Sequence, residues 1–94
     1  MSKFNFFERI TVTSSDFADH EMNFDFISAG FAIVNESTID GNTVEYSFNK
    51  STLHGDLITG GIDGIIYDSR HENKIWFRLK AGSSACSVRI EAWA

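Results

Sequence analysis

The dominant repeat along the chain has a period of two. Ile10 and Val12 alternate with Arg9 and Thr11, and Met22, Phe24 and Phe26 alternate with Asn23 and Asp25. Val44, Tyr46 and Phe48 alternate with Glu45 and Ser47, and Ile75, Phe77 and Leu79 with Trp76, Arg78 and Lys80. The last such run sets Val88, Ile90 and Ala92 against Arg89, Glu91 and Trp93. Successive side chains of a strand point to opposite faces, so each run predicts a half-buried strand. The stretch Gly30-Phe31-Ala32-Ile33-Val34 is apolar at every position, which predicts a central or doubly covered strand. Gly64-Ile65-Ile66-Tyr67 is a shorter candidate.

Turn signals punctuate these runs. Asp40-Gly41-Asn42 is the strongest and predicts a tight hairpin between the strand ending near Glu36 and the one starting at Thr43. Ser28-Ala29-Gly30, Asn49-Lys50-Ser51, Thr59-Gly60-Gly61, Asp68-Ser69-Arg70 and Ala81-Gly82-Ser83-Ser84 mark the others. The segment from Ser14 to Met22 fits neither period. It reads as a loop, with one helical turn capped by Ser or Asp as the alternative. The expected fold is all-β: a single domain over residues 1–94, an antiparallel β-sandwich of jelly-roll type with about seven or eight short strands.

With 94 residues the chain is one domain by size, and a domain this small has a thin stability margin. Nine Phe supply large burial per residue, and with no Pro the turns rely on Gly, Asn, Asp and Ser. A net charge of −5 argues against a general binder of nucleic acid or anionic membrane. No run approaches the roughly 20 apolar residues of a membrane span. The start, MSKFNFFERI, has no apolar signal core, so synthesis in a cytoplasm without a secretory signal is expected. The triplets at Asn35 and Asn49 are then chance matches to a glycosylation pattern.

Candidate chemistry is sparse. His20, His54 and His71 fall in different loops, with no second His or Cys at ligand spacing, so no metal and no cofactor is expected. Asp16, Asp19, Glu21, Asp56, Asp63 and Asp68 match no calcium-loop spacing and read as turn formers. The single cysteine, Cys86, shares parity with Val88 and reads as a small buried hydrophobe. Neither a nucleophile elbow nor a phosphate loop is present, so no catalytic residue is assigned and the chain is expected not to be an enzyme.

Two features favour binding instead. The outward faces of the last two long strands carry Trp76, Arg78 and Lys80, then Arg89, Glu91 and Trp93, and Trp and Arg are enriched at interface hot spots. The run from Arg70 to Lys80 holds four of the eight basic residues and reads as a patch for an acidic partner. Phe4, Phe6 and Phe7 precede the first clear strand, so residues 1–7 form either an edge strand or an arm reaching into a neighbour.

The stretch from Ile33 to Trp93 resembles small β-sandwich structural proteins of tailed bacteriophage virions. The residues that carry the resemblance are Val34-Asn35-Glu36-Ser37, Val44-Glu45-Tyr46-Ser47-Phe48-Asn49 and Leu53-His54-Gly55-Asp56-Leu57. Ile75-Trp76-Phe77-Arg78 and the ending Val88-Arg89-Ile90-Glu91-Ala92-Trp93 complete it. The resemblance implies a virion component, such as a head decoration, a connector or a tail-associated piece, with other virion proteins and its own copies as partners. Phe4, Phe6, Trp76, Arg78, Lys80, Arg89 and Trp93 are the expected contacts. The alternative is a carbohydrate-binding module in which Trp76 or Trp93 stacks on a sugar ring.

Overall fold

The computed structural model describes residues 5–59 and 64–94. Phe4, one of the expected contact residues, lies outside them, as does Asp63. Eight strands form: β1 Asn5–Val12, β2 Glu21–Asn23, β3 Gly30–Asn35, β4 Thr43–Ser47, β5 Gly55–Ile58, β6 Ile65–Tyr67, β7 Lys74–Leu79 and β8 Cys86–Trp93. The first sheet has the order β1-β8-β3-β6 and the second β2-β7-β4-β5, all antiparallel. The pairs β1–β8, β2–β7, β3–β6 and β4–β5 nest inside one another. The chain is thus a long ribbon folded back at the β4–β5 hairpin and rolled until β8 meets β3 and β7 meets β4. That is the jelly-roll form of the β-sandwich.

The period-two runs account for the layers. Along β8 the burial alternates without a break, with Cys86, Val88, Ile90 and Ala92 inward. Ile75, Phe77 and Leu79 do the same for β7, and Val44 and Tyr46 for β4. β3 lies between β8 and β6, as a strand apolar on both faces should, and Phe31 and Ile33 are fully buried. An aromatic chain fills one end of the core: Phe6 lies 5.1 Å from Phe24, Phe24 6.2 Å from Phe31, and Phe31 4.9 Å from Tyr67, ring centre to ring centre.

Three local expectations are corrected. Asp40-Gly41-Asn42 does reverse the chain, with Gly41 at φ 84°, but it joins strands of different sheets and makes no hairpin. Asn42 is buried and bonds Ser84 of the β7–β8 connection through Nδ2, 2.8 Å from Oγ. Among the described strands, the one hairpin within a sheet turns instead at Asn49-Lys50-Ser51. There the Asn49 Oδ1 accepts from the N–H groups of Ser51 and Thr52, and Lys50 takes φ 73°. The strand expected to reach Phe26 ends at Asn23, whose side chain accepts from the Asp25 N–H and turns the chain at φ 65°. β5, in contrast, is a strand where the sequence suggested a loop. The Ser14–Met22 segment resolves as loop, one 3-10 turn, Phe17–Asp19, capped by Asp16, and the first two residues of β2.

Buried polar side chains tie the crossovers down. The Asn35 Nδ2 donates to the carbonyls of Asn42 and Leu57 at 3.2 and 3.0 Å, and its Oδ1 accepts from the Ser37 N–H. His20 bridges two segments: Nδ1 meets the Phe77 carbonyl at 3.0 Å and Nε2 accepts from the Thr13 N–H at 3.0 Å. No buried side-chain polar atom among the described residues lacks a partner. Replacing Asn35 by Ala leaves the Leu57 and Asn42 carbonyls without that donor in the core. A loss of about 2–3 kcal/mol is expected, a fall in Tm of roughly 8–20 °C for a domain of this size, read by thermal or urea unfolding.

Candidate functional site

β7 and β8 belong to different sheets, so their outward residues face opposite sides of the sandwich. Trp76, Arg78 and Lys80 lie on the second sheet, Arg89 and Trp93 on the first. The expected contacts therefore form two surfaces and not one, and each has its own character.

The outer face of the second sheet is a ladder of matched charges. The Arg78 Nε lies 2.6 Å from Glu45 Oε1, and its guanidinium sits 4.1 Å over the Phe17 ring. Lys80 Nζ lies 2.8 Å from Asp56 Oδ2, and Lys74 Nζ 3.6 Å from Glu21 Oε1. The Asp56 carboxylate, bonded to Lys80, raises the pKa of that ammonium. Arg70 pairs with Glu72 at 2.8 Å. All four basic residues between 70 and 80 thus have an acidic partner, and the free basic patch expected from the sequence is not formed. Trp76 is half-buried opposite Glu21 and Ser47.

The outer face of the first sheet differs. Its registers place Phe7, Glu91, Ala32 and Ile66 in one row across all four strands, with Trp93 and Gly30 side by side above it. Phe7 and Ile66 are each 54% exposed, so the row is apolar at both edges of the sheet. Below it Arg9 stands directly opposite Arg89. Like charges so placed repel, and Glu36 bridges them, with Oε1 2.9 Å from Arg9 and Oε2 3.6 Å from Arg89. The Arg9 guanidinium also lies 5.3 Å from the centre of the Phe7 ring. Phe6 is partly buried against the core, so residues 5–7 belong to an edge strand of their own domain.

Phe7, Ala32 and Ile66 were not singled out from the sequence. Phe7 was grouped with the other N-terminal aromatics, and its opposite facing from Phe6 needs the register. Ile66 shows no polar partner by parity until β6 is placed at the sheet edge.

A third feature lies at the rim. The Tyr46 and Tyr67 hydroxyls meet at 2.7 Å, and Phe48 packs between Tyr67 and His54 with the Arg70 guanidinium 4.0 Å over its ring. Burial first, and then the bond to Tyr67, push the Tyr46 phenol well above its usual range. This is a structural clasp between the sheets, β4 to β6. Among the described residues no three His, Cys, Asp or Glu side chains gather as metal ligands. Cys86 is buried, as its parity indicated.

Two outcomes test this description. Tyr46 stays protonated in the fold at pH values where the unfolded chain has lost that proton. Its stabilising effect is therefore complete below about pH 10 and declines above it, at up to about 1.4 kcal/mol per pH unit. Unfolding measured from pH 8 to 11 should show that decline, reduced in Tyr46→Phe. Arg78→Ala should cost about 1–2 kcal/mol, because it strands Glu45, whose side chain is only 13% exposed, and uncovers Phe17. Arg9→Ala, at a side chain 55% exposed, should cost under about 0.5 kcal/mol.

No family model matches the chain, and no curated protein and no solved structure matches it.

Proposed function

We propose that the chain is a non-enzymatic assembly domain, a structural component of a phage virion, that joins a second copy of itself through β1. The observation that carries this reading is the open edge of the first sheet. β1 is eight residues long, pairs only with β8 among the described strands, and presents Phe7 beside Arg9 on the outer face. A long unpaired edge offers a row of backbone donors and acceptors to another strand. The other edges among the described strands are short: β2 and β6 have three residues each and β5 four.

Charge selects the register. Glu8 has inward parity but remains exposed at the edge, a placement that discourages indiscriminate pairing. Two antiparallel copies of β1 centred on Glu8 or Arg9 would set like charges against each other. A pair centred on Phe7 sets Phe7 against Phe7, Phe6 against Glu8 and Asn5 against Arg9. A small domain with a thin margin is stabilised by such a contact through mass action. The jelly-roll topology is compatible with a virion role but hosts many others, so the support comes from the edge and from the resemblance of residues 33–93.

Light scattering of the full chain from low micromolar to millimolar concentration should show a dimer. Phe7→Asp places two carboxylates across the two-fold axis and should weaken association at least tenfold, with unfolding unchanged because Phe7 faces solvent. The chain should also co-sediment with the phage particles it belongs to. A chain monomeric at every concentration, and absent from purified particles, overturns the proposal.

A further inference from the structure

We infer that Trp93 and the β6–β7 loop form a subsite for a neutral saccharide on the rim of the first sheet. This site goes beyond the assembly reading and does not depend on it. Residues 66–72 curl around an open concavity of about 520 Å³. Trp93 does not line it, but its indole edge approaches the backbone of the same loop: a Cβ added to Gly30 would lie 2.8 Å from the indole Cζ2, 2.6 Å from the Tyr67 carbonyl oxygen and 2.9 Å from that of Asp68. Only glycine at position 30 lets the indole settle against the backbone beside the loop. A second concavity of about 260 Å³ is lined by Trp93 together with Phe7, Asn5 and Glu91. Trp93 is thus a partly exposed ring that lines one hollow and approaches the loop around the other, with Phe7 on the neighbouring strand.

The loop is held in place before any ligand arrives. Ser28, fully buried, donates through Oγ to the Arg70 carbonyl at 2.8 Å and accepts from the Glu72 N–H at 3.0 Å. Its own N–H donates to the Glu72 carbonyl, and the His71 Nδ1 lies 2.9 Å from the Ser28 carbonyl. Ring stacking on Phe48 and the Nε bond to Glu72 fix the Arg70 guanidinium and leave its terminal nitrogens for a ligand. Asp68 and Ser69 are exposed and make no side-chain bond among the described residues. Fixed polar groups around a ring platform reduce the ordering cost of binding.

The chemistry selects the ligand class. A sugar ring offers an apolar C–H face to stack on Trp93 and adjacent hydroxyls that a guanidinium or carboxylate can hold in pairs. Asp68 and Glu72 beside the loop, on a chain of net charge −5, disfavour phosphate backbones and acidic sugars. An uncharged oligosaccharide of two or three rings spans the width from Phe7 to Ile66, three strand spacings of about 4.8 Å.

The test uses the full chain with Trp76→Phe, which leaves Trp93 as the only indole, and a panel of neutral gluco-, xylo-, galacto-, manno- and N-acetylglucosamine oligosaccharides. At least one member should shift Trp93 fluorescence saturably and perturb the amide resonances of residues 66–72. Trp93→Ala and Asp68→Asn should each weaken that binding at least tenfold without changing the unfolding midpoint of the chain by more than a few degrees. Trp93→Phe should recover part of it. Silence across the panel at concentrations up to about 10 mM overturns the proposal. So does binding that is indifferent to both Trp93→Ala and Asp68→Asn, or binding that maps to the Trp76 face.

Discussion

Everything in this domain depends on β8 lying between β1 and β3 while its inward row faces that of β7. Val88, Ile90 and Ala92 on one sheet, and Ile75 and Phe77 on the other, are all at most 2% exposed. Fully burying a large aliphatic or aromatic side chain contributes about 1.5–3 kcal/mol, so this double row is the main term against the entropy of ordering a short chain. It also decides topology. Once β8 is central, β1 and β3 must flank it, and nested pairing places β2 and β4 on either side of β7. The open edge of β1 is the residue of that solution, since no ninth described strand remains to cover it.

The crossovers between sheets need more than apolar burial. Each carries backbone groups past the core, where a missing partner costs about 1–3 kcal/mol. The chain meets this with short polar side chains buried at the passages: Asn35 and Asn42 at one end, Ser28 at the other, and His20 under the 3-10 turn. Ser28 also holds the β6–β7 loop, so the placement of that rim follows from the demands of folding.

The layers were legible because β7 and β8 alternate strictly and β3 does not alternate at all. A period of two reports facing directly, whatever the sheet. Sheet membership was not legible. Asp40-Gly41-Asn42 reads as a hairpin because local turn chemistry specifies reversal and says nothing of where the next strand finds its partner. β5 escaped notice because Gly55-Asp56-Leu57-Ile58 has one buried apolar position, Leu57, and is a strand by virtue of pairing with β4. Trp76 and Trp93 were both correctly outward, yet they ended on opposite sides, since parity cannot tell which sheet a strand joins. The cross-strand acids of Lys74, Arg78 and Lys80 were hidden for the same reason. Glu21, Glu45 and Asp56 are far away in sequence and adjacent only once β2, β4 and β5 assemble around β7.

The two outer faces then divide by what they leave unsatisfied. On the second sheet each outward cation meets an acid of a neighbouring strand, and the stems of Arg78 and the ring of Phe17 cover one another. Such a face gains little from a partner, because every ion pair would have to be exchanged for another. On the first sheet Phe7, Ala32, Ile66 and Trp93 have water where a partner could be, and the backbone of β1 has half its groups free along the edge. Covering its apolar row of Phe7, Ala32 and Ile66 returns free energy, with the Arg9–Glu36–Arg89 pairs confined to the row below. The assembly we propose needs one surface that is complete and one that is not, and in this chain the strand order of the roll assigns those roles.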